Sequence, residues 1–165
     1  MSAKTKPPTF KTGQSAVASY SGALDGLDQR ALARWAAACA EHVLPNFESE
    51  HPLDERPRRA IEAACRWARG EIPMMAARLA AVAAHAAARA CTHPAATAAA
   101  RATGHAAATA HAAGHARSAA AYAILAAASS SPDAPEKAIR AEQHWQLQQL
   151  PLGENKVGSL RDSPS

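Results

Sequence analysis

Nothing constrains this chain more than its alanines, which fill 47 of 165 positions. Alanine has the highest helix propensity of any residue and is depleted in strands. It also brings a single methyl group to any contact. The apolar fraction of 48% therefore overstates the bulk available for a core, because Leu, Ile, Val and Phe together supply only 21 residues. So low a content of large apolar residues falls below roughly 20%, where disorder competes with folding. A net charge of only +4 and the helix-forming alanines argue for folding instead. The expected class is all-α: a single compact, alanine-rich bundle of about five or six helices with disordered termini, its axes close together and a few large anchors between them.

Local signals divide the chain. Residues 1–24, rich in Ser, Thr, Lys and Pro, read as a disordered tail; 25–150 as the helical domain; 151–165 as a flexible tail. Asp25 or Asp28 caps a first helix with Leu32, Trp35, Cys39, Val43 and Phe47 on its inner face, bent or rebuilt at Pro45. Asp54 to Pro57 opens a second, ended by Gly70. Glu71-Ile72-Pro73 opens a third, to about Ala90, with Met75, Leu79, Val82 and Ala86 as its inner face. His93-Pro94 separates it from a fourth. The run from Ala95 to Ala128 breaks near Gly114, and Asp133 or Pro135 starts a last helix anchored by Ile139, Glu142, Trp145 and Leu150. The large anchors expected overall are Trp35, Phe47, Trp67, Leu79, Tyr122, Leu125 and Trp145.

Charge is distributed unevenly. From Ile72 to Pro132 there is no acid, while Arg78, Arg89, Arg101 and Arg117 are joined by His85, His93, His105, His111 and His115. Such a segment favours an acidic neighbour, supplied by other helices of the chain or by a partner. Four arginines over sixty residues with few aromatics do not make a nucleic-acid track, so no nucleic acid is expected. The Ala-rich stretch from Met74 to Cys91 is broken by Arg78, His85 and Arg89, so no membrane span is expected either. The N-terminus lacks the apolar run of a signal peptide. Three cysteines, Cys39, Cys65 and Cys91, with no compact metal spacing, fit a reducing cytoplasmic setting. The cluster Arg56 to Arg59 reads as an exposed face paired with Asp54, Glu55 and Glu62.

The histidines allow three readings. Taken as helix, residues 95–125 put His111 and His115 one turn apart, near Tyr122, with His105 further round. Two imidazoles so spaced can hold zinc if His85 or His105 adds a third, although His-Glu-x-x-His is absent and a carboxylate must come from Glu41, Glu62 or Glu142. They can also serve as a general base or pH sensor. Or they are structural, bonded to Thr97, Thr103, Thr109 or Tyr122 across tight helix contacts. No catalytic motif, phosphate loop or dinucleotide fingerprint accompanies them, so neither catalytic residues nor a cofactor are assigned.

Several segments carry a resemblance. Arg34-Trp35-Ala36-Ala37-Ala38-Cys39-Ala40-Glu41-His42-Val43-Leu44-Pro45 comes first. Arg56-Pro57-Arg58-Arg59-Ala60-Ile61-Glu62-Ala63 follows, with Trp67-Ala68-Arg69-Gly70-Glu71. Then come Ala84-His85-Ala86-Ala87-Ala88-Arg89, Gly104-His105-Ala106-Ala107-Ala108-Thr109-Ala110-His111, and later Tyr122. In this order, over roughly residues 28–150, the chain resembles the all-helical immunity proteins of bacterial polymorphic-toxin systems. The resemblance implies a non-catalytic protein that binds and silences a cognate toxin, without identifying contact residues. With the charge pattern, it leads us to expect a partner-binding or polar seam of His85, Arg89, Arg101, His105, His111, His115, Arg117 and Tyr122 facing an acidic toxin surface. A metal- or small-ligand-binding protein using the histidines is the alternative function. A homo-oligomer closing an alanine-lined face is a third class.

Overall fold

The computed structural model describes residues 6–151. Its eight α-helices are α1 (Phe10–Ala18), α2 (Gln29–Val43), α3 (Pro45–Glu48), α4 (Arg56–Ala68), α5 (Met74–Ala90), α6 (Pro94–Ala108), α7 (His115–Ser129) and α8 (Pro135–Gln148). No strand occurs among the described residues. The all-α class is as expected; the helix number is not, because the expectation omitted α1 and the short α3. The expected C-terminal tail lies, beyond Pro151, outside the described residues.

Many boundaries follow from local chemistry. The Asp28 carboxylate accepts from the Ala31 N–H at 2.7 Å, capping α2. Pro45 cannot continue α2 and instead stands in the first turn of α3. Gly70, at φ +77°, ends α4. There its N–H reaches the Trp67 carbonyl and that of Glu71 reaches Arg66, each at 2.9 Å, the paired closure that a left-handed residue permits. The break expected near Gly114 is present, since α6 ends at Ala108 and α7 starts at His115.

Helix α6 is the hub and touches α2, α3, α4, α5 and α7. Its alanines are buried, from Ala95 and Ala96 to Ala106 and Ala107, and after Pro94 only the stripe Thr97, Arg101 and His105 is partly exposed, as befits a helix whose apolar surface runs most of the way round. On one side α7 packs on α6 and carries α1 and α8; on the other, α4 and α5 pack on α6; α2 bridges the two groups. Trp35, Phe47, Leu44, Leu24 and Ile124 are the large fully buried apolar side chains. Trp67, Tyr122, Leu125 and Trp145 are half-buried, and the Arg30 guanidinium covers the Trp67 ring at 4.9 Å.

Two expectations are corrected. Residues 10–24 are not a disordered tail. They form α1 and a short 3₁₀ turn (Ser21–Leu24), and Val17, Tyr20 and Leu24 are buried. Close approach makes this docking work, because a Cβ on Gly13 would overlap the Ala121 carbonyl of α7. The second correction concerns α5. Met75, Leu79 and Val82 are 52%, 66% and 57% exposed, and Ala77, Ala81, Ala84 and Ala88 go inward. Both sets of residues have helical spacing, so the period alone cannot choose between them. The facing helix α6 offers methyl groups and a glycine, and small side chains on α5 let the axes nest where Leu79 would hold them apart.

Candidate functional site

Six of the eight residues named for the seam, His85, Arg101, His105, His111, His115 and Tyr122, lie together, drawn from three helices and a turn. His111 lies in the turn between α6 and α7 rather than on a helix with His115. Even so, their rings stand 4.9 Å apart. His85 comes from α5, Arg101 and His105 from α6, and His115 and Tyr122 from α7. Gly104 makes the room, since a Cβ there would lie 2.7 Å from the His85 ring. His85 meets His105 edge to face at 4.9 Å, and His105 stacks on Tyr122 at 5.3 Å. Phe10 of α1 stacks on Tyr122 at 4.3 Å and ties that helix to the seam.

The hydrogen bonds fix the charge state of the cluster. Arg101 Nη1 donates to His85 Nδ1 at 3.2 Å. A guanidinium only donates, so Nδ1 of His85 carries no proton and the ring is neutral. His105 Nδ1 and His115 Nδ1 share a bond of 2.9 Å, which requires one to donate and the other to accept. Burial, then Arg101, Arg89 and His115, push His85 down to about 4. Burial, then His85, His115 and Arg101, push His105 down to about 3. His115 is lowered by burial and by His111. The seam is a set of neutral imidazoles linking three helices, with a positive charge at its edge.

Other expected members behave differently. Arg117 Nη2 pairs with Asp25 at 3.1 Å, so its charge is met within the chain. Arg89 is exposed on α5. The threonines expected to serve the imidazoles bond to backbone carbonyls instead: Thr97 to His93, Thr103 to Ala100 and Thr109 to His105. Among the described residues no three His, Cys, Asp or Glu side chains are grouped to hold a metal ion. Cys39 is buried, and its thiol is pushed well up, first by burial and then by Glu142. Such a thiol is a packing group and not a nucleophile.

A second polar cluster joins the expected anchors Trp35, Glu142 and Trp145 to Tyr20, His42 and Gln146, which the sequence did not single out. Gln146 of α8, fully buried, accepts from the Tyr20 hydroxyl through Oε1. Its Nε2 donates to the Ala120 carbonyl at 3.1 Å and to Glu142 Oε1 at 3.2 Å. Its backbone carbonyl accepts from Trp35 Nε1 at 2.9 Å. The other carboxylate oxygen of Glu142 bonds His42 Nδ1 at 2.8 Å, and the His42 ring stacks on Trp145 at 3.7 Å. Burial holds the Glu142 carboxyl above its usual range, opposed by the bonds to His42 and Gln146. Gln146 shares a helical face with Ile139 and Glu142, and that placement of a polar residue on an inner stripe was the available signal.

The model of the Imm-5 like putative immunity protein family matches residues 22–152. The chain belongs to that family. Neither the curated proteins nor the solved structures gave a match. The matched span of this Imm-5 like chain holds α2 to α8, and with them the imidazole seam and the Glu142–Gln146 cluster. α1 lies before it, so the Phe10 cover on Tyr122 is outside the matched span. No helix among the described residues is long and apolar enough to cross a membrane.

Proposed function

We propose that this chain neutralises a cognate bacterial toxin by direct protein–protein contact in the cytoplasm, without catalysing a reaction. The match to the immunity family over residues 22–152 carries the reading. The architecture supports it physically. Closely nested helices lose little conformational entropy on docking, and arginines such as Arg89 and Arg101 can steer an acidic partner to the surface. Both have no carboxylate within salt-bridge distance among the described residues. His111, also exposed, lies on the same acid-free stretch. The histidine-based metal or ligand reading gains little from a cluster in which the Nδ1 atoms of His85, His105 and His115 are taken up by one another and by Arg101 and no three ligand side chains among the described residues are grouped to hold a metal ion.

The test is co-expression with a candidate cognate toxin, sought first among the products of adjacent genes. Restored growth and co-purification of the two proteins are expected. A toxin that kills equally well in the presence of this chain, and does not co-purify with it, would reject the reading.

A further inference from the structure

Helix α5 presents two apolar stripes, and the larger one faces outward. Met75, Leu79 and Val82 are each more than half exposed, and they stand in line at spacings of three and four. Single exposed apolar residues need no explanation; three in register on one helix do. Burying each elsewhere would favour association at roughly 25 cal/mol per Å² of apolar surface removed from water.

The stripe has a charged margin. Arg78 and Arg89 lie along one side of it, about 16 Å apart by the helical rise, and beyond them on α6 stands Arg101, held on His85. None of these three arginines has a carboxylate partner among the described residues. Arg56, Arg58, Arg59, Arg66 and Arg69, on and just after α4, all do. Arg78 and Arg89 are thus unmatched cations flanking the exposed apolar side chains, while Arg30 and Arg34 on α2 and Arg140 on α8 likewise have no carboxylate partner among the described residues.

We infer that the outer face of α5 is the docking surface for the toxin, and that the toxin meets it with apolar side chains flanked by carboxylates opposite Arg78 and Arg89. This rests on the immunity reading and adds the place and the chemistry of the contact. A second copy of the chain fits poorly. Packing α5 on α5 would bring Arg78 and Arg89 of both copies together, and residues 72–132 offer no acid to separate them. A lipid surface also fits poorly, because two arginines and no aromatic anchor on the stripe fall short of the polybasic, aromatic-bearing face that holds a helix on a bilayer.

The probe is a candidate cognate toxin from an adjacent gene, purified in an inactivated form. It is titrated with the full chain and three variants: Leu79→Asp with Val82→Asp, Arg78→Glu with Arg89→Glu, and Leu53→Asp as a control at an apolar residue outside α5 that is 95% exposed. The apolar pair is expected to weaken binding by roughly 100-fold or more. The charge reversal is expected to slow association by about tenfold and flatten its salt dependence. The control should match the parent. All the substituted positions are exposed, and circular dichroism checks that the helices persist. If the parent binds and both α5 variants bind equally well, the face is wrong and the immunity reading stands. If the parent neither binds nor restores growth, the immunity reading fails, and this inference with it. A dimer that Leu79→Asp dissolves, or sedimentation of the parent with phosphatidylglycerol vesicles, would assign the stripe to a second copy or to lipid and overturn the proposal.

Discussion

His105 Nδ1 stands 2.9 Å from His115 Nδ1, and only one proton fits between them. Protonating both rings breaks that bond and places two cations side by side in a partly buried seam that already adjoins Arg101.

Stability should therefore fall in acid. Above about pH 6.5 the imidazoles are neutral in both folded and unfolded chains. Below it, the unfolded chain takes up protons that folded His85 and His105 refuse until about 4 and 3. Their contribution is complete above the unfolded value and is lost as pH falls from about 6.5 through the folded values. Discounted for partial exposure, the loss is on the order of 2–4 kcal/mol. Glu142, held high by burial, acts in the opposite sense, with stability lost as pH rises through its folded value. The comparison of His105→Gln with the parent isolates the imidazole part. Denaturant midpoints between pH 7 and pH 4 should vary less in the variant; equal slopes would contradict the assignment.

Gly13→Ala should loosen α1. The added methyl would overlap the Ala121 carbonyl, which is backbone and cannot rotate away. Overpacking of this kind costs about 1–3 kcal/mol. Limited proteolysis should cut within residues 10–24 sooner, and Phe10 should leave the Tyr122 ring. A protease pattern like the parent's would show that the helices can shift to make room.

Gln146→Ala should cost about 2–4 kcal/mol, because the Tyr20 hydroxyl, the Ala120 carbonyl and one Glu142 oxygen each lose a partner in a buried place. The Trp35 bond should survive, since it goes to the backbone of residue 146. A double-mutant cycle with Tyr20→Phe measures the coupling. Additive costs would mean that the two side chains act independently.

Trp35→Ala and Leu79→Ala should separate widely. Trp35 is 2% exposed, and truncating it should cost about 3–5 kcal/mol. Leu79, two-thirds exposed, should change stability by no more than about 0.5 kcal/mol. Thermal or chemical unfolding of the two variants provides the check. A large loss at Leu79 would mean that this side chain packs within the fold.

The sequence declared its helix ends more clearly than its faces. Asp28, Pro45, Gly70 and Pro94 act through the backbone and their own side chains, so their effects are readable from neighbours alone. The orientation of α5 was not readable, because Met75–Leu79–Val82 and Ala77–Ala81–Ala84 share the same period and only the partner helix decides between them. Within residues 10–24 a signal was present: Gly13, Ala16, Val17, Tyr20 and Leu24 follow helical spacing, but they sit among Ser, Thr and Lys. In the seam, His85, His105, His111 and His115 stood out together, with Thr97, Thr103, Thr109 and Tyr122 as candidate partners; of these four only Tyr122 meets an imidazole, by stacking on His105. Short hydroxyl side chains on a helix reach their own backbone more easily than a ring on the next helix.

The methyl-lined setting of α6 has a consequence for how such a protein can diversify. Any larger residue at Ala99 or Ala106 must push two or more neighbours apart at once, so the inner rod tolerates almost no change in volume. Sequence drift is then confined to the outer shell, and the freedom to track a changing adversary falls to positions that contribute least to holding the chain together.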